Sequence, residues 1–117
     1  MIKFWQNIAV VIGGILLVVS FVFVGNLIAQ QKPTVAIREF QFQPSQVDVK
    51  AGTAMTWVNE DDAAHTITSG TPEKPDGRFD SRLQGKGSTF SFTFAEPGTY
   101  SYFCSRHRSM QGQIRVM

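Results

Sequence analysis

Residues Thr89-Phe90-Ser91-Phe92-Thr93-Phe94 alternate aromatic and short polar side chains, turn through Glu96-Pro97-Gly98, and continue as Thr99-Tyr100-Ser101-Tyr102-Phe103-Cys104. A period of two puts all three phenylalanine rings on one face of a strand and the hydroxyls on the other, the signature of a half-buried β-strand. Proline and glycine in the turn end that strand and start the next. The same alternation extends outward in both directions. Upstream, Met55-Thr56-Trp57-Val58-Asn59 follows a turn at Ala51-Gly52-Thr53, and Val47 and Val49 precede it. Before these, Val35, Ile37, Phe40 and Phe42 alternate with a register break near Glu39, and Gln113-Ile114-Arg115-Val116 closes the chain. About seven short strands with turn signals between them predict an all-β fold, a two-sheet Greek-key β-sandwich with antiparallel sheets packed face to face. No helical period occurs in this part of the chain.

At 117 residues there is room for one small domain. Its N-terminal flank is different in kind. From Ile8 to Ala29 the only polar side chains are Ser20 and Asn26, a 22-residue run. About 20 apolar residues suffice to cross a bilayer as a helix. The run is longer than the apolar core of a cleavable leader, and Leu27 and Ala29 make a poor small-residue cleavage site. Residues 1–32 are therefore expected to be a transmembrane anchor with a short polar tether, and residues 33–117 a domain held close to the membrane. Removal of the segment as a leader is the alternative, leaving a soluble extracytoplasmic domain.

Of the 11 Lys and Arg, Lys3 and Lys32 lie outside the domain, which leaves nine basic residues against nine acidic ones. A neutral domain without a basic cluster is not expected to bind nucleic acid, whose phosphates demand one. Ser69 to Gly77, with two prolines, reads as a surface loop or a small edge excursion. Gly85-Lys86-Gly87-Ser88 lacks the spacing of a phosphate-binding loop and precedes a strand, so a hairpin turn is expected there.

The domain holds one cysteine and two histidines. A single thiol forms no internal disulfide, and taken alone it is an ordinary small buried side chain. Its neighbours change that reading. Cys104-Ser105-Arg106-His107-Arg108-Ser109-Met110 places thiolate, imidazole and thioether at intervals of three in one loop leaving a strand. His65 follows the strand ending at Asn59, where a sandwich loop can approach the 104–110 loop. Two imidazoles and a thiolate give trigonal coordination, and Met110 adds a weak axial ligand, the donor set of a blue-copper site. Zinc would gain nothing from the thioether, and a dinuclear copper centre needs a second cysteine. Met55, inside a strand, reads as core filler.

With these residues in view, the domain resembles a cupredoxin of the plastocyanin and amicyanin type. The resemblance spans residues 34–116: Phe40-Gln41-Phe42-Gln43-Pro44, Gly52, Thr56-Trp57-Val58-Asn59, His65-Thr66, Pro97 to Tyr102, and the C-x-x-H-x-x-M loop. The two residues between His107 and Met110 are similar to the short ligand loop of amicyanins. The resemblance implies one type 1 copper ion on His65, Cys104, His107 and Met110, with Asn59 bracing the ligand loop by hydrogen bonding and Tyr100 anchoring the strand before the cysteine. In one respect the chain departs from its look-alikes: Arg106 and Arg108 flank His107, where proline is usual beside the second histidine. A basic docking face for an acidic redox partner is the consequence expected.

With no open coordination position, carboxylate pair or Ser-His arrangement, catalysis on a small-molecule substrate is not expected. The resemblance instead implies single-electron transfer between extracytoplasmic redox proteins, with the anchor placing Lys3 inside. A copper carrier or storage protein would use the same ligands and release the metal readily to a chelator.

Overall fold

The structure, a computed structural model, describes residues 32–117; the Ile8–Ala29 run and its orientation lie outside the described residues. Within them nine strands form two sheets: β1 (Thr34–Arg38), β2 (Gln41–Gln43), β3 (Gln46–Val49), β4 (Thr53–Asn59), β5 (His65–Thr71), β6 (Lys74–Leu83), β7 (Thr89–Phe94), β8 (Gly98–Phe103) and β9 (Gln111–Val116). One sheet has the order β2-β1-β4-β7 and the other β3-β9-β8-β5-β6. The all-β sandwich is as expected; the pairing within it is not wholly antiparallel. β1 runs parallel to β4, and β3 parallel to β9. The reason is the path of the chain. After the β1–β2 hairpin it crosses to the second sheet as β3, and the turn at Ala51-Gly52 returns it beside β1 in the same direction. Gly52 takes φ 86°, a left-handed value that glycine adopts without a Cβ penalty.

The alternating residues face where their period puts them. Met55 and Trp57 on β4, Phe94 on β7, Tyr102 on β8 and Ile114 on β9 are buried in one core. The Trp57 ring stacks on Phe90 at 5.6 Å and meets Tyr102 edge-on at 5.3 Å. Such aromatic pairs add directional energy to area burial: the first is a cross-strand pair within the four-stranded sheet, and the second joins the two layers. Tyr102 lies across its β9 partner Gly112, where an added Cβ would come within 2.3 Å of the ring, so the close approach requires glycine. Tyr100 donates its hydroxyl to the Glu96 carbonyl at 2.7 Å, which ties the start of β8 to the turn before it as the sequence implied.

Of the two forms expected for Ser69 to Gly77, the structure has the edge excursion: the segment belongs to a hairpin of β5 and β6 at the edge of the five-stranded sheet, with Pro72 and Glu73 at its tip. The alternation is hidden because six consecutive residues of β5, His65 to Gly70, are all buried, polar ones included. Their hydroxyls are paired internally: Thr66 with Thr68, Thr68 with Asp80, and Ser69 with the Phe79 backbone. Residues 85–88 form a turn closed by Ser88 on the Gly85 carbonyl, but it links β6 to β7 in the opposite sheet and so is not a hairpin.

Candidate metal centre

β8 ends at Phe103 and delivers Cys104 into the core at one end of the sandwich. The loop that follows is closed by its own backbone: the Cys104 amide donates to the Met110 carbonyl at 3.0 Å, and the Met110 amide to the His107 carbonyl at 2.9 Å. This tight loop returns His107 toward the cysteine, while β5 begins at His65 on the neighbouring strand. The result is a convergence of three donors. The Cys104 Sγ lies 3.9 Å from His65 Nδ1 and 3.7 Å from His107 Nδ1, and all three ligand atoms lie within 4.8 Å of one another. Cys104 and His65 are fully buried and His107 is half-buried.

Bonds of about 2.0 Å to imidazole and about 2.3 Å to thiolate, with ligands about 120° apart, imply N···S separations of about 3.7 Å. The two observed sulfur–nitrogen separations match those expected around a single metal ion shared by Cys104 and each histidine. Met110 is buried in the same core cluster as Cys104.

The environment of His65 fixes how it presents itself. Its Nε2 is 2.8 Å from the Asp61 carboxylate. A carboxylate accepts the Nε2 proton and leaves the Nδ1 lone pair for the metal, the arrangement in which an outer carboxylate orients a ligating histidine. Asp61 also accepts the backbone N–H groups of Glu39 at 2.9 Å and Phe40 at 3.0 Å. Burial pushes the Asp61 carboxyl up, but the hydrogen bonds from Phe40, His65 and Glu39 outweigh it and hold the group below the ordinary carboxylate range. Phe40, which the alternation placed in a strand, instead occupies the β1–β2 turn. Its ring meets His65 edge-on at 5.1 Å and His107 edge-on at 4.8 Å.

Asn59 braces a different loop from the one expected. Its amide donates to the Ala63 carbonyl at 2.9 Å and its oxygen accepts from the Asp61 amide at 3.0 Å, so it holds the segment leading into His65. As the last residue of β4, it sits directly ahead of that segment. The bond to the ligand loop comes from Thr66, whose hydroxyl accepts the Ser105 N–H at 2.7 Å and whose own N–H donates to Cys104 Sγ at 3.4 Å. Arg106 and Arg108 are exposed on either side of His107, and neither forms a salt bridge among the described residues.

Residues 29–117 match the copper binding proteins of the plastocyanin/azurin family. The chain belongs to that family. It is 37% identical to a plastocyanin of Scenedesmus fuscus over 83 residues, 64% of this chain and 85% of the relative. It is 32% identical to amicyanin-alpha of Methylorubrum extorquens over 82 residues, 70% of this chain and 69% of the relative. Among solved structures, a purple cupredoxin from Nitrosopumilus maritimus superposes with a TM-score of 0.68 at 28% identity, covering 73% of this chain and 99% of that one. The amicyanin of Paracoccus versutus superposes with a TM-score of 0.66 at 26% identity, covering 77% and 85%. Cupredoxins bind one copper ion, and His65, Cys104 and His107 supply this chain's metal-binding group.

Proposed function

We propose that this cupredoxin is a membrane-anchored type 1 copper protein that cycles Cu(I)/Cu(II) and carries single electrons between extracytoplasmic redox partners. The observation that carries the reading is the convergence of Cys104 Sγ on the two Nδ1 atoms at 3.9 and 3.7 Å. Met110 would supply the fourth, thioether donor in this reading, supported by its spacing after His107 and its burial in the same core cluster as Cys104. When bound, copper would supply the one-electron couple; the protein's residues hold the Cys104 and His65 donors fully buried and return the half-buried His107 to them on a tight loop, which limits rearrangement between oxidation states. That burial also disfavours ready metal exchange and so sets the electron carrier ahead of a copper carrier. Anchoring rests on the 22-residue apolar run, and the extracytoplasmic placement on the resemblance to plastocyanins and amicyanins.

Addition of Cu(II) to the purified protein is expected to give one copper per chain and an intense visible band that ascorbate bleaches and an oxidant restores. A structural relative named a purple cupredoxin shows that hue varies within the fold, so the decisive reading is intensity. A weak band like that of copper on surface nitrogen and oxygen ligands would overturn the proposal.

Arg106 and Arg108, exposed beside His107, are the proposed docking charges for an acidic partner. Oxidation of the reduced protein by ferricyanide, an anion, should slow as ionic strength rises, because exposed charges are screened over about 10 Å at 0.1 M salt. In Arg106→Gln/Arg108→Gln the slope should flatten. An unchanged slope would place the steering charge elsewhere.

A further inference from the structure

The β1–β2 connection is a two-residue turn, with Arg38 paired to Gln41 across it. Its central residues, Glu39 at φ 52° and Phe40 at φ 59°, both occupy the left-handed region. Turns of this kind select Asn-Gly or Asp-Gly, and a bulky aromatic in that region is a true outlier. Phe40 is also 48% exposed, one of two large hydrophobic side chains so exposed among the described residues. Two local costs thus fall on one residue. Backbone strain that a structure maintains is a pointer to function, and here it sits against the metal site. The Phe40 ring stands at 83° to His65 and 85° to His107, with centroids 5.1 and 4.8 Å away. The two imidazoles touch each other at 5.1 Å. The strain is held by one carboxylate: Asp61 accepts the N–H groups of both turn residues and the Nε2 proton of His65.

We propose that Phe40 is a positioning residue for the copper centre, a lid that the Asp61-clamped turn presses onto both ligand imidazoles. The inference deepens the copper reading and rests on it. His65 is fully buried, but His107 hangs on a loop, is half-buried, and among the described residues has no ring hydrogen bond other than its approach to Cys104. An imidazole held only by its metal bond can swing away when that bond lengthens. Edge-to-face packing against Phe40 restricts the rotation and keeps water from the gap between the two rings. The donor geometry is thereby formed before the metal arrives, which reduces the ordering required on binding.

The test separates the ring from the turn. Phe40→Gly removes the ring and places in the turn the residue that adopts positive φ most easily. In the metal-free full chain, the thermal midpoint of Phe40→Gly should equal or exceed that of the wild type. In the copper-loaded protein, transfer of Cu(II) to excess EDTA should be at least about tenfold faster than wild type, the lower end of the range for losing a group that orients a ligand. Phe40→Leu, bulky but without the aromatic edge and in the same strained turn, should fall between the two. Faster copper loss with an undiminished metal-free midpoint supports the lid. Equal rates of copper loss in Phe40→Gly and wild type overturn it, as does a lowered metal-free midpoint, which would make the turn and not the ring responsible. A wild-type protein that failed to take up copper would overturn the lid together with the copper reading, whereas tight wild-type binding with an indistinguishable Phe40→Gly overturns the lid alone.

Discussion

Cys104→Ser is expected to abolish the intense visible absorption of the copper-loaded protein and to weaken Cu(II) binding by at least about 100-fold, more than any single change outside the ligand set. The band arises from charge transfer between a thiolate sulfur and copper; a serine hydroxyl is harder, less polarisable and protonated at neutral pH. The site offers no substitute. Cys104 is the chain's one cysteine, and its partners in the metal-binding group, His65 and His107, supply no sulfur. The fold should survive. Cys104 has no exposed surface, so a hydroxyl in its place costs about 1–3 kcal/mol if unpaired, but the Thr66 N–H already points at this position from 3.4 Å and offers it a partner. Metal-free urea unfolding should therefore show a modest loss of stability beside a complete loss of colour. A serine variant that kept its colour and its reversible redox cycle would remove the basis for every functional statement made of this protein.

How much of this was legible in the residues follows from where the polar groups lie. Strands β4, β7, β8 and β9 are written in plain alternation because one face meets the core and the other meets water. The donors Cys104 and His107 could be paired from their spacing, since a strand end and a three-residue step place both near one point. His65 could be added because no other histidine exists. β5 and β6 escaped the same reasoning. A strand buried on both faces with hydroxyls facing one another has no apolar period to detect, and although Thr66 stands in the His65-Thr66 pair, nothing in the sequence shows that its hydroxyl ties β5 to Ser105. The register break near Glu39 marks the turn, but the aromatic character of Phe40 suggests a strand, and a left-handed turn has no residue signature when it contains neither glycine nor asparagine. Asp61 precedes His65 by four residues, a spacing visible beforehand, but Asp62 stands beside it and only the fold shows which carboxylate turns inward.

Asp61→Leu should produce the second-largest effect, and on two observables at once. The change removes the acceptor of three N–H groups. Those of Glu39 and Phe40 lie in an exposed turn where water can replace the carboxylate, but His65 has no exposed surface and its Nε2–H would be left without a partner. Losing a hydrogen bond to a charged acceptor in such a place costs about 2–3 kcal/mol, which metal-free urea unfolding should register as a lower midpoint. The second effect is electrostatic. The carboxylate makes the His65 imidazole a stronger donor and places a negative charge one ring away from the metal, and both favour Cu(II) over Cu(I). Without it, Cu(II) affinity should fall about 10- to 100-fold while Cu(I), with the lower charge, loses less. For a one-electron couple each tenfold difference between the two losses raises the reduction potential by about 59 mV. Asp61→Asn divides the two effects, since the amide oxygen still accepts the hydrogen bond from the His65 Nε2–H but carries no charge. Its stability should stay nearer that of the wild type, while its potential moves most of the way to that of Asp61→Leu. If the potential of Asp61→Asn matched wild type and only Asp61→Leu shifted, Asp61 would be acting by geometry and not by charge. If neither shifted and neither lost stability, the Asp61–His65 contact would have no part in holding the metal centre.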